Sequence, residues 1–208
     1  MNKIVLVWIA VLLMASCTKK EEVTPEVAPS LVGTWTIKTA KNLSAAPLTA
    51  KANSTIVFTD TKYTVSQTQP FANYKNTTNL TEYLRFKSNS PYQLLSIDAI
   101  QPLVEADLKL FLGNTIPIAS KNIAAVIALY KKEGIKYVTI LEGATVVTAN
   151  TAGGTETTDI PAFGIVNFTA SGVTLEEISF GDFFQINDAK YVPQLPAAAT
   201  RAQILLEK

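Results

Sequence analysis

The sequence predicts a mainly β protein, an antiparallel barrel or sandwich with one or two helices. Three observations lead there. From Leu31 onward, short stretches carry apolar residues at every second position, the spacing of half-buried strands. Turn-forming residues punctuate them, as at Asp60-Thr61, Asn89-Ser90-Pro91 and Ala170-Ser171-Gly172. Clear helical spacing is confined to residues 120–133.

The chain opens with residues of another kind. Lys3 precedes an unbroken apolar run of 12 residues, Ile4 to Ala15. A bilayer span needs about 20 apolar residues, so the run reads as a secretion signal, with residues 1–16 removed. The segment Leu13-Met14-Ala15-Ser16-Cys17 resembles a bacterial lipobox, with Met14 where Leu is commonest. That resemblance implies a lipid on Cys17; an ordinary signal peptide with an incidental Cys is the alternative. Lys19, Lys20, Glu21 and Glu22 resemble the export signal of Bacteroidetes-type surface lipoproteins. The resemblance implies a lipid-anchored outer-membrane protein displayed at the cell surface, against retention on the inner face of that membrane. Residues 17–30 then carry Pro25, Pro29 and little to bury, and read as a flexible tether about 20 Å long.

Residues 31–208 are expected to form a single β-rich domain. Without Lys3, the 18 basic side chains fall to match the 17 acidic ones, so no charge excess points to nucleic acid. Cys17 is the only Cys, which excludes an intramolecular disulfide. There is no His, which excludes Ser-His-Asp, Cys-His and His-bearing zinc sites. Glu176 and Glu177 point to opposite faces of a strand and cannot share a proton. Glu105 and Asp107 share a strand face, where solvated charges are the plainer reading than Ca²⁺. Ser120-Lys121 is adjacent at a helix cap and does not form a dyad. No catalytic constellation, metal site or cofactor is implied.

The folded part begins with Gly33-Thr34-Trp35, and Trp35, Ile37 and Thr39 share one strand face. Gly33-x-Trp35 resembles the signature opening the first strand of lipocalins and lipocalin-like bacterial lipoproteins. The resemblance implies that Trp35 closes a barrel floor, with Arg201 packed over it. A core Trp opening some other β-domain is the alternative. Residues 55–59 and 63–66 read as two strands about Asp60-Thr61-Lys62, an arrangement similar to the same family. Thr61 in place of Gly predicts a loop longer than a type I′ turn.

Residues 67–79 read as a polar loop. Leu80, Glu82, Leu84 and Phe86 form one strand face, and Asn89-Ser90-Pro91 marks a turn into residues 92–100. Residues 104–112 alternate as a strand, with a helix ending at Gly113 as the alternative. In residues 120–133, Ser120 offers a cap, Ile123, Val126, Ile127 and Tyr130 form an apolar stripe, and Gly134 supplies the stop. Residues 135–141, 144–148, 163–168 and 173–180 read as strands, and 150–158 as a loop. Residues 201–208 are expected to pair beside the Trp35 strand and close the sheet.

These readings imply a barrel that binds a small apolar or amphipathic ligand without catalysis. Its pocket would be walled by Ile37, Phe58, Tyr63, Leu84 and Phe86, with Trp35 at the floor and Arg201 stacked on it. The alternative is a structural or adhesive module with a solid core that contacts protein or glycan.

Overall fold

The computed structural model describes residues 29–76, 79–102, 105, 120–149, 155–157, 162–178, 184–187, 190–193 and 197–208. The signal segment, Cys17 and Lys19 to Glu22 lie outside the described residues.

Fifteen strands are described: β1 (Gly33–Lys41), β2 (Leu48–Thr49), β3 (Thr55–Phe58), β4 (Lys62–Val65), β5 (Tyr74–Lys75), β6 (Thr81–Phe86), β7 (Ser90–Ser96), β8 (Tyr137–Leu141), β9 (Ala144–Ala149), β10 (Thr155–Thr157), β11 (Ala162–Phe168), β12 (Gly172–Ile178), β13 (Phe184–Asn187), β14 (Lys190–Pro193) and β15 (Gln203–Glu207). The α-helix α1 (Ser120–Lys132) lies between β7 and β8 in the chain. Gln101, Pro102 and Glu105 are also helical, which favours the helical alternative at the start of the 104–112 stretch; the rest of it lies outside the described residues.

Eight strands close on themselves in the order β1-β3-β4-β7-β8-β11-β12-β15, and β15 returns to β1. Every pairing is antiparallel. The fold is an up-and-down, lipocalin-like β-barrel. Closure follows from the ladder of β15 with β1, where Leu206 meets Ile37 and Gln203 meets Lys41. A closed sheet leaves no unpaired edge, which a small antiparallel sheet otherwise has to protect.

The β3–β4 connection is tighter than the sequence predicts. Thr59 N–H donates to Lys62 O at 2.8 Å, and Lys62 N–H donates to Thr59 Oγ1 at 3.2 Å. The Thr59 hydroxyl takes the bond that a second main-chain pairing would have supplied, so no Gly is required.

Asn89-Ser90-Pro91 is not a hairpin turn. Lys87 N–H donates to Gly143 O and Glu142 N–H to Pro91 O, so β6 and β7 run on as one strand against β8 and β9. Ser88, Asn89 and Ser90 are extra residues on one side, a bulge that Asn89 accommodates at φ 56°. Opposite it, Gly143 has φ 73°, and a Cβ there would meet Lys87 Cβ at 2.7 Å. The result is a second four-stranded sheet, β10-β9-β6-β5, continuous with the barrel wall. Since β4 runs in the same sense as β1, this extension rises at the end away from Trp35.

Helix α1 packs on the outside of the barrel. Ile123, Val126 and Tyr130 bury against Val138 and Ile140 of β8 and Ile165 of β11, with Ile97, Ile100 and Ile135. Its end is a Schellman motif: Ile135 N–H donates to Tyr130 O and Gly134 N–H to Lys131 O, with Gly134 at φ 78°. Ser120 is itself the first helical residue.

Candidate functional site

The inward face of the barrel is one continuous apolar surface. Alternation places Trp35 and Ile37 of β1, Ile56 and Phe58 of β3, Tyr63 and Val65 of β4, and Tyr92 of β7 on the same side of the wall. Val166, Val173, Leu175 and Leu206 complete the circuit from the other half. The predicted residues Trp35, Ile37, Phe58, Tyr63, Leu84 and Phe86 all belong to this one buried cluster. Outward neighbours on β1 such as Thr34 and Lys38 are exposed, as a barrel wall requires.

Most polar atoms of this inner wall are committed to the main chain; the buried Ser54 hydroxyl, opposite Ile37, has no hydrogen-bond partner among the described residues. Tyr63 OH donates to Glu142 O at 2.7 Å and Tyr92 OH to Thr59 O at 2.7 Å. Thr139 Oγ1 donates to Gln93 O at 2.8 Å, and Trp35 Nε1 to Leu31 O at 2.7 Å. Burial pushes the Tyr63 hydroxyl up to about 12 and the Tyr92 hydroxyl above its ordinary value. Both therefore stay neutral in ordinary conditions, and what they present inward is ring surface. Phe58 packs edge-on to Tyr92 at 4.9 Å between centroids, and Tyr63 edge-on to Phe86 at 6.2 Å.

Arg201 does not sit at the floor with Trp35. Antiparallel closure puts the start of β15 at the end of β1, so Gln203 faces Lys41, six residues beyond Trp35. At about 3.3 Å per residue the separation is about 20 Å, beyond any side chain's reach. The cation over Trp35 is Lys208, with Nζ 5.0 Å from the ring centroid. Arg201 instead forms a buried ion pair on the barrel's outer face, Nη1 to Glu176 Oε2 at 3.0 Å. Glu176 Oε1 accepts from Asn167 Nδ2 at 2.9 Å and Gln203 Nε2 at 3.2 Å. Nearby, burial pushes the Tyr130 hydroxyl up while the Arg201 charge opposes it.

The polar segment 67–79 contributes two buried aromatics that sequence reasoning missed, Phe71 and Tyr74. Phe71 is 0% exposed and joins the lumen cluster from the end away from Trp35. A lone aromatic between Pro70 and Ala72-Asn73 has no periodicity to betray it. Phe86 N–H donating to Thr68 O at 2.7 Å, Lys51 N–H donating to Pro70 O at 2.7 Å and the pairing of β5 with β6 tie this segment to the wall.

Fold and lumen together define the class, a lipocalin-like barrel with an apolar, aromatic interior. Comparison with protein-family models, with curated proteins and with solved structures finds no match.

Proposed function

We propose that the chain is an outer-membrane, surface-exposed lipoprotein, anchored through Cys17, whose barrel binds a small apolar or amphipathic ligand without catalysis. The carrying observation is the closed inner wall, apolar in most of its side chains and with the Tyr63, Tyr92 and Thr139 hydroxyls already bonded to carbonyls. Such a wall offers mostly ring and aliphatic surface, with the Ser54 hydroxyl as a buried polar group left over, which favours a mainly apolar guest. Residues 17–30 serve as the tether, and Lys19 to Glu22 as the surface-export signal.

The test is fluorescence of a soluble form beginning near Thr24, in which Trp35 is the sole Trp. It is titrated with fatty acids, sterol-like compounds and quinones, and the untreated protein is weighed by native mass spectrometry. A saturable change with one ligand class supports the reading and names the guest. Indifference to every class, with no co-purified mass, defeats it.

A second reading, a structural or adhesive module contacting protein or glycan, is favoured by the burial of Phe71 among the lumen side chains. A filled interior has no room for a guest, so the same titration separates the two. The anchor is tested independently: Cys17→Ala abolishes membrane fractionation, and alanines at Lys19 to Glu22 remove protease accessibility in intact cells. Unchanged behaviour in either variant refutes that half of the proposal.

A further inference from the structure

Beyond the rim of the barrel, the inner wall changes character. Phe86 and Leu84 are buried in the lumen cluster, and Glu82 follows two residues further along the same face of β6. The facing strand repeats the order. Ala144 and Val146 belong to the apolar cluster, and Thr148, the cross-strand partner of Glu82, comes next. One sheet face thus passes from aromatic to acidic over four residues, about 13 Å.

Glu82 is held rather than free to swing. Asn76 Nδ2 donates to its Oε1 at 2.5 Å and Thr148 Oγ1 to the same oxygen at 3.2 Å. Asn76 is oriented in turn by Leu80 N–H, which donates to its Oδ1 at 2.9 Å. Both donors converge on one oxygen. Among the described residues Oε2 has no donor, and no Lys or Arg forms an ion pair with Glu82. An ordinary strand carboxylate is solvated on the outer face; this one is half-buried and lies on the face that continues the lumen.

We propose that Glu82 recognises the cationic head of an amphipathic ligand, an alkylammonium group, whose apolar body lies along Leu84 and Phe86 toward the barrel. The inference rests on the ligand-binding reading above and names the chemistry of the head. A fixed carboxylate oxygen beside an apolar wall makes a charge-assisted hydrogen bond to an ammonium that a neutral or anionic head cannot make. The three chemistries are therefore distinguishable on one alkyl chain.

The experiment uses the full chain in nanodiscs and equilibrium dialysis against octylamine, octanol and octanoate, with binding to empty nanodiscs subtracted. Octylamine is expected to bind about tenfold tighter than octanol, and octanoate weakest. Glu82→Gln, which keeps the oxygen that Asn76 and Thr148 bond, brings octylamine and octanol within about twofold of each other. Far-ultraviolet circular dichroism checks that the variant is folded. Should Glu82→Gln prove unfolded, Leu84→Asn serves as the second variant; it weakens all three ligands and preserves their order. Equal binding of the three by the natural chain overturns the role of Glu82 and leaves the apolar binder standing. An amine preference that survives Glu82→Gln also overturns it. No binding of any of the three overturns both.

Discussion

The buried pair of Glu176 and Arg201 is the place where one substitution should cost most. Their side chains are 7% and 6% exposed, so water does little to screen either charge. Removing one partner of a buried pair costs about 3–5 kcal/mol, because the other charge is left uncompensated. The two single variants should differ. Glu176→Ala removes the acceptor from three donors at once, Arg201, Asn167 and Gln203. Arg201→Ala leaves the carboxylate with two of its donors. Each hydrogen bond to the charged carboxylate is worth about 1.5–3 kcal/mol, which places Glu176→Ala near the top of the range and Arg201→Ala near the bottom. The double variant should fall well short of the sum, with a coupling of about 2 kcal/mol. Replacing both by Glu176→Leu and Arg201→Met should be close to neutral. The assay is urea unfolding followed by circular dichroism, reading the midpoint at constant slope. Additive single effects below about 1 kcal/mol each would refute the reasoning, since they would describe a solvated surface pair.

Three further expectations follow from the same packing. The Tyr63 hydroxyl is raised from 10.0 to about 12, so the folded protein binds more protons than the unfolded chain across that interval. The contribution is whole below about pH 10 and is lost as pH rises toward 12, about 3 kcal/mol over the two units, and Tyr63→Phe should flatten that slope in urea unfolding measured against pH. Gly172 pairs with Glu207, and a Cβ there would run into the carbonyl oxygen of Leu206; Gly172→Ala should part β12 from β15 and lower stability by more than about 2 kcal/mol, and an unchanged urea midpoint would contradict the close approach. Phe71→Ala should cost about 3–5 kcal/mol and tighten binding of any lumen ligand, read in the Trp35 titration; a cost below about 1 kcal/mol would place Phe71 outside the packed interior.

Much of the barrel was legible residue by residue. Period-two alternation located β1 and β6, because a wall with one wet and one dry face imprints itself locally; β3, β4, β8, β11 and β12 were found as short apolar runs between turn residues, and β8 is dry on both faces beneath α1. The stop at Gly134 was equally local, a left-handed residue after an apolar stripe. Hairpin β13–β14 carries no such signal in the sequence, since Pro193 at its end disfavours a strand. Tyr74 and Phe71 were missed for want of any period. The bulge at Ser88 to Ser90 was read as a turn, because Asn-Ser-Pro marks both and only the partner strand distinguishes them.

By itself, the sequence determined which side of β1 and β6 would be apolar, where the helix after Ser120 would end, and that six named residues belonged to the interior. It also ruled out disulfide and histidine chemistry by composition. The pairing of residues 201–208 beside β1 was expected and is found; what the tertiary structure decided was the register and the side-chain partners of distant residues. Antiparallel closure carried Arg201 to the end of β1 away from Trp35 and handed the floor to Lys208. Register set Glu176 beside Arg201, and Thr148 opposite Glu82. Local pattern records burial, which each residue feels alone; pairing depends on where the chain returns, and no short stretch of sequence contains that information.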